Sequence, residues 1–165
     1  MPSHHTRRAA LFALLAAALA LGVAIASERL GGLVPCALCL VERWPYRIAI
    51  GLGILALLTP RRPARWLLAA LALVVLGDAA IAIVHVGVEW HLWPSPLPEC
   101  AAPHLSGSIA ARLTQMPMRP AKPCDEPTYL IPFVPLSMAA MNLLYALGLG
   151  GVILIHLHHT RKIKR

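Results

Sequence analysis

Apolar residues in this chain fall in long unbroken runs rather than in the alternation of a surface strand or the stripe of a surface helix. The first run, Ala9 to Ser27, holds 19 residues and no charge. As a helix it rises about 28 Å, close to the roughly 30 Å of a bilayer's hydrocarbon core. Arg7 and Arg8 precede it, and Ala24-Ile25-Ala26 resembles a signal-peptide cleavage site. The run exceeds the roughly 7–15 apolar residues usual in a signal peptide, so a first membrane span is expected here. Whether or not it is cleaved, the chain after Ser27 is expected outside the cytoplasm. A second segment, residues 40–59, carries Glu42, Arg43 and Arg47 in its first half, and only Ile48 to Leu58 is cleanly apolar. The turn Pro60-Arg61-Arg62-Pro63 ends it. A third span is expected over residues 66–88, with Asp78 near its middle and His85 near its outer end. A polar, proline-rich stretch follows, about 89–132, containing Cys100 and Cys124. Within it Ser106 or Ser108 can cap a short amphipathic helix, with Ile109, Leu113 and Met116 on one face, suited to lie on a membrane surface. The fourth span is expected over residues 136–155, before a basic tail.

Composition agrees with lipid as the solvent. Hydrophobic residues make up 58% of the 165 and charged residues 13%, about half the soluble average of roughly 25%. The mean hydropathy is +0.68. A net charge of +8 could suggest nucleic acid, but the basic residues sit at the ends of apolar runs rather than on a folded face. Arg7, Arg8, Arg61, Arg62, Arg65, Arg161, Lys162, Lys164 and Arg165 flank the spans at the N-terminus, the middle turn and the C-terminus, with no acid among them. This positive-inside pattern puts both termini in the cytoplasm and all four cysteines outside. It also supports the weak second crossing, without which the middle turn would lie on the wrong side. The fold expected is an all-α membrane protein: a four-helix transmembrane bundle forming one domain, with a long periplasmic loop.

The chemistry is carried by sulfur. Cys36-Ala37-Leu38-Cys39 stands where the second helix begins. Two intervening residues let the sulfurs meet at little loop-closure cost, and a helix N-terminus stabilises a thiolate. A four-sulfur zinc site fits poorly, because Cys100 and Cys124 are 24 apart. A c-type haem would need His where Leu40 stands. A purely structural disulfide gives no reason for arginine in the adjacent span. Arg43 is four residues after Cys39 and Arg47 four further on, so both are placed on one face. A guanidinium there needs an anion: a Cys39 thiolate or a reduced cofactor for Arg43, and Asp78 for Arg47. The loop pair is expected to be accessible to another protein's thiolate. A stabilising staple is the alternative, but two pairs on one side favour a relay.

Pro35-Cys36-Ala37-Leu38-Cys39-Leu40-Val41-Glu42-Arg43 resembles the conserved stretch of the disulfide bond formation protein B (DsbB) family. His85-Val86-Gly87-Val88-Glu89-Trp90, then Trp93-Pro94-Ser95-Pro96 up to Cys100, resembles the start of that family's second periplasmic loop. Cys124-Asp125-Glu126 and Leu136-Ser137-Met138-Ala139-Ala140 resemble the loop end and the fourth helix. The likeness runs from about Ala9 to Gly150.

The resemblance implies a quinone-dependent thiol–disulfide oxidoreductase of the bacterial inner membrane with two redox-active disulfides, Cys36–Cys39 and Cys100–Cys124. Cys100 would form the mixed disulfide with a periplasmic thiol oxidase of the DsbA type, with Cys124 its mate. Cys36 would exchange with the loop pair. Cys39 would pass electrons to ubiquinone or menaquinone, with Arg43 stabilising the developing charge and His85 and Met138 lining the quinone pocket. Oxidases of the DsbA type sit near about −120 mV, a known value for that system rather than one drawn from this chain, and structural disulfides lie below roughly −300 mV. The gap of about 180 mV is roughly six powers of ten in equilibrium constant, so a strongly oxidising acceptor is required. A vitamin K epoxide reductase-like relay is a weaker match, since its membrane CxxC is expected near the last span. A scaffold with two inert disulfides is the reading from a different class.

Overall fold

The computed structural model describes residues 4–100, 108–109, 122–131 and 133–162. Among them are four long helices: α1 (His4–Arg29), α2 (Ala37–Leu58), α3 (Arg61–Glu89) and α4 (Met138–Lys162), with a single 3₁₀ turn at Pro98–Cys100. The expected amphipathic loop helix falls almost wholly outside the described residues.

Sequence explains each helix end. Past Arg29 the chain turns through Gly31 and Gly32, and Gly32 has φ +64, a left-handed conformation suited to glycine. The Cys36 side chain caps α2, its Sγ accepting from the backbone N–H of Cys39 at 3.2 Å. Thr59 and Pro60 close α2, and α3 starts at once at Arg61. Ser137 caps α4, its Oγ accepting from the Ala140 N–H at 3.2 Å.

Consecutive helices run antiparallel, with α2 on α1, α3 on α2 and α4 on α3, and α4 returns to touch α1. The interior is made largely of small residues. Ala10, Ala13 and Ala17 of α1, Ala49 and Ala56 of α2, Ala64, Ala72 and Ala79 of α3, and Ala146 of α4 are buried. Leu68, Leu71, Val75 and Ile153 fill what the alanines leave. Large side chains point outward, among them Phe12, Leu19, Ile48, Leu73, Leu147 and Ile155. Small residues inside and large apolar ones outside is the arrangement of helices that pack in lipid, where close approach holds them together.

Helices α1, α3 and α4 (to Thr160) are long and apolar enough to cross a membrane. Helix α2 is long enough, but Glu42, Arg43 and Arg47 fall in every 18-residue stretch of its 22 residues. Its charges divide by face. Glu42, Tyr46, Ala49, Gly53 and Ala56 are buried, whereas Arg47 is exposed and stacks its guanidinium on Trp44, 5.0 Å from the ring centroid. The expected Arg47–Asp78 pair therefore does not form. Asp78 is fully buried and accepts from Asn142 Nδ2 of α4 at 3.0 Å instead. Arg47 sits eight residues beyond Cys39, and each step of four overshoots a full turn by about 40°, which carries it off the inner face.

Candidate redox site

The CxxC lies where α2 begins, and the long loop folds back onto it. Cys100 and Cys124 form a disulfide. They share one buried cluster with Cys36, Leu38 and Val88, flanked by Cys39 and Leu97. Lys122 makes an isolated bridge to Cys36, and the Cys124 N–H donates to the Cys100 carbonyl at 3.4 Å. The loop's return is fixed by Lys122 Nζ, which donates to Thr128 Oγ1 at 2.7 Å, and by the Met138 N–H, which donates to the Thr128 carbonyl at 2.7 Å. Both cysteine pairs are thus brought together. The loop disulfide is not open to solvent as the sequence suggested: Cys100 is 4% exposed and Cys124 1%. Folding the loop onto the CxxC hides it from the outside.

Cys36 and Cys39 are two free thiols, Sγ to Sγ 2.7 Å. Either sulfur can be the donor between them; once Cys36 is the thiolate it accepts from the Cys39 thiol, and this holds Cys36 below the ordinary thiol range. Burial works against this, the backbone N–H groups of Cys39 and Leu38 add to it, and the nearby Glu42 charge opposes it. Cys36 also faces His85, with Nε2 3.4 Å from Sγ.

Behind the thiols lies a buried polar network that links α2, α3 and α4. His85 Nδ1 is 2.8 Å from Glu42 Oε1. Asn142 Nδ2 donates to Glu42 Oε2 at 3.2 Å as well as to Asp78, and Asn142 Oδ1 accepts from the Tyr46 hydroxyl at 2.7 Å. Glu89, at the end of α3, accepts from the Ser137 hydroxyl. The sequence marks Glu42 only as a charge in the weak second span and as part of the family motif, and gives Tyr46 and Asn142 no role. Tyr46 stands four residues after Glu42, and Asn142 is a lone amide in an apolar helix; both were available signals.

Cys39 faces a different space. A cavity of about 270 Å³ opens between α1, α2, α4 and the loop end. Its walls include Cys39, Arg43, Leu21, Met138, Tyr145 and Leu130. His85 faces the CxxC from α3, its Nε2 3.4 Å from Cys36 Sγ. Arg43 already has an anion. Its guanidinium donates to Glu28 Oε2 at 2.6 Å and to the Ala24 carbonyl at 3.3 Å, both at the end of α1. Glu28 was missed because it lies beyond the first apolar run, in a segment read only as a connection.

A helical bundle apolar on its outside, with a loop disulfide packed on a helix-capping CxxC, defines a membrane thiol–disulfide oxidoreductase. The model of the family "Disulfide bond formation protein DsbB" matches residues 6–156, and the chain belongs to that family. No curated protein and no solved structure matches it.

Proposed function

We propose that this protein reoxidises a periplasmic dithiol oxidase of the DsbA type and passes the electrons to a membrane quinone. The observation that carries the reading is that one CxxC has two faces: Cys36 is buried against the loop disulfide, and Cys39 lines an apolar cavity. In this reading α2 is the fourth crossing, both termini are cytoplasmic and all four cysteines are periplasmic, in the bacterial inner membrane. The chain works as a single membrane domain.

The electrons balance step by step. A partner thiolate attacks the Cys100–Cys124 disulfide at Cys100, giving a mixed disulfide, and the partner's second thiol resolves it. The partner leaves oxidised and the loop pair is left as two thiols. A loop thiolate attacks Cys36 of the Cys36–Cys39 disulfide, so the loop pair is reoxidised and Cys36 and Cys39 receive the two electrons. Cys36 is the better thiolate of the CxxC, held so by Cys39 and the start of α2. Cys39 then gives up the electrons on the cavity side, and the Cys36–Cys39 disulfide is restored.

The cavity fits a quinone ring. It is mostly apolar, its volume is near the lower end of the usual small-molecule range of roughly 300–1,000 Å³, and its polar lining includes Arg43, Glu28, Glu42 and Asn142 as well as Cys39. A quinone bound there, ubiquinone or menaquinone, supplies a two-electron, two-proton acceptor. Cys39, Arg43 and Met138 would hold it. Arg43 supplies fixed positive charge beside Cys39, and His85, braced by Glu42, positions Cys36.

The deciding experiment mixes purified protein, reduced partner and quinone, and follows quinone absorbance. Bleaching that needs all four cysteines supports the reading. Inert disulfides and no bleaching would leave a scaffold. An impermeant thiol reagent that labels the reduced cysteines from the cytoplasmic side would refute the topology.

A further inference from the structure

The reduced CxxC does not stand alone. Cys36 Sγ, Cys39 Sγ and His85 Nε2 all lie within 4.8 Å of one another. We propose that Cys36, Cys39 and His85 form a metal site for a thiophilic divalent cation, zinc being the natural occupant, which the reduced chain binds and the oxidised chain cannot.

The geometry favours this in three ways. In a tetrahedral zinc site, with bonds of about 2.3 Å to sulfur and 2.0–2.1 Å to nitrogen, neighbouring ligand atoms stand roughly 3.5–3.8 Å apart. The Cys36 Sγ to His85 Nε2 separation of 3.4 Å is already close to that. The sulfurs, 2.7 Å apart, need to part by about 1 Å, which rotation of the two side chains provides. Second, His85 is presented as a ligand. Its Nδ1 faces Glu42 Oε1 at 2.8 Å, which leaves Nε2 turned to the sulfurs, and Glu42 is itself held by Asn142. A carboxylate bracing the far nitrogen of an imidazole is the usual support behind a metal-bound histidine. Third, the fourth position is open, because Cys39 borders the cavity. Three protein ligands with an open fourth position is the pattern of an accessible zinc site.

Charge closes as well. Two thiols and one divalent cation give a neutral bis-thiolate complex and release two protons. A neutral complex suits a site at the edge of the apolar bundle better than two thiolates. Oxidation to the Cys36–Cys39 disulfide removes both anionic ligands, so binding and redox state exclude each other. Metal bound here keeps the CxxC from being reoxidised and so arrests electron transfer until a chelator removes it.

The test uses full-length protein in detergent with Cys100 and Cys124 both replaced by serine, so that only the CxxC contributes sulfur. Co(II) is titrated into the reduced and the oxidised chain without quinone or partner, so the result is independent of the proposed electron acceptor. One equivalent per reduced chain, with tetrahedral visible bands and an ultraviolet thiolate charge-transfer band, is expected, and neither band in the oxidised chain. Affinity falls at least about 10-fold in His85→Gln, and about 10- to 100-fold in Glu42→Gln through loss of the support behind the ring. Absence of these bands in the reduced chain overturns the site, and so does unchanged affinity in a folded His85→Gln. Should the histidine variant not fold, the loop-serine chain with His85 intact decides. Zinc that raises the melting temperature of the reduced form but not of the oxidised form supports the site, and zinc that shifts neither or both equally overturns it.

Discussion

Replacing Cys39 with alanine or with serine separates two reasons why Cys36 is acidic. The Cys39 thiol donates to the Cys36 thiolate, and the Cys39 N–H donates to the same sulfur at 3.2 Å. Both substitutions keep the backbone donor and the start of α2. Only serine keeps a side-chain donor. A hydrogen bond to a charged group contributes about 1.5–3 kcal/mol. At about 1.4 kcal/mol per tenfold, alanine lowers the Cys36 thiolate population at a fixed pH by roughly ten- to a hundredfold relative to serine. The assay is ultraviolet thiolate absorbance against pH, in full-length protein whose loop cysteines are serine. Because the folded chain holds Cys36 below the ordinary thiol range, the unfolded chain binds the extra proton between the two values. Stability from this source is therefore present above the ordinary thiol value and lost as pH falls through the lowered one. The serine variant should accordingly melt higher as pH rises through that window, and the alanine variant should show a weaker rise. Identical titrations of the two variants would refute the reasoning and assign the shift to the helix start alone.

Three further outcomes follow from the packing. In Gly87→Ala the new Cβ would lie 1.9 Å from Trp93 Cζ2, so the indole must leave and give up its Nε1 bond to the Val84 carbonyl at 3.0 Å. Overpacking of this kind costs about 1–3 kcal/mol, read as a lower melting temperature, and Trp93→Leu in the same chain should recover part of it. The Arg43–Glu28 pair has side-chain exposures of 12% and 39%, so a double-mutant cycle with Arg43→Gln and Glu28→Gln should give a stability coupling no larger than about 1 kcal/mol. Quinone reduction should nonetheless be far more sensitive to Arg43→Gln than to Glu28→Gln, and equal sensitivity would remove Arg43 from the cavity chemistry. Asp78 is buried with Oδ1 unpartnered, and Asp78→Asn should leave yield intact and stability within about 1 kcal/mol, while Asp78→Ala leaves one Asn142 N–H unpaired, the other still meeting Glu42, and costs more.

The run lengths made the helical layout legible, although α1 and α3 begin five residues before their apolar runs and the last helix ends seven after its own. The cysteine spacing and the residues around it made the sulfur site legible. What stayed hidden was three-dimensional pairing. Arg43 meets Glu28, fifteen residues earlier in the chain, because α1 and α2 are antiparallel and the ends of α1 and the start of α2 coincide. Asp78 meets Asn142, 64 residues later, because α3 and α4 pack side by side. Neither follows from periodicity. The inner face of α2 is readable, since Glu42, Tyr46, Ala49 and Gly53 recur at helical spacing, but the spacing of Cys39, Arg43 and Arg47 points to a neighbouring face instead. The buried loop disulfide also escaped the sequence, because a proline-rich segment carries no pattern that says which helix end it will cover.

The burial of that disulfide bears on the order of events. With Cys100 and Cys124 packed on Cys36, the loop pair faces inward and both sulfurs are buried. In the proposed relay a partner thiolate would need access to Cys100, whereas exchange with Cys36 uses the packed arrangement. The anchors at the loop's C-terminal end, Lys122 on Thr128 and Thr128 on Met138, are a handful of hydrogen bonds near the surface, each contributing about 1 kcal/mol. They are weak enough to open without disturbing the helices. Much of the wall of the Cys39 cavity comes from α1, α2 and α4, and Thr128 and Leu130 of the loop end complete it. In the proposed function, separating the Cys36 face, against the loop disulfide, from the Cys39 face, against the cavity, lets one chain serve a soluble partner and a lipid-borne acceptor without either occupying the other's approach.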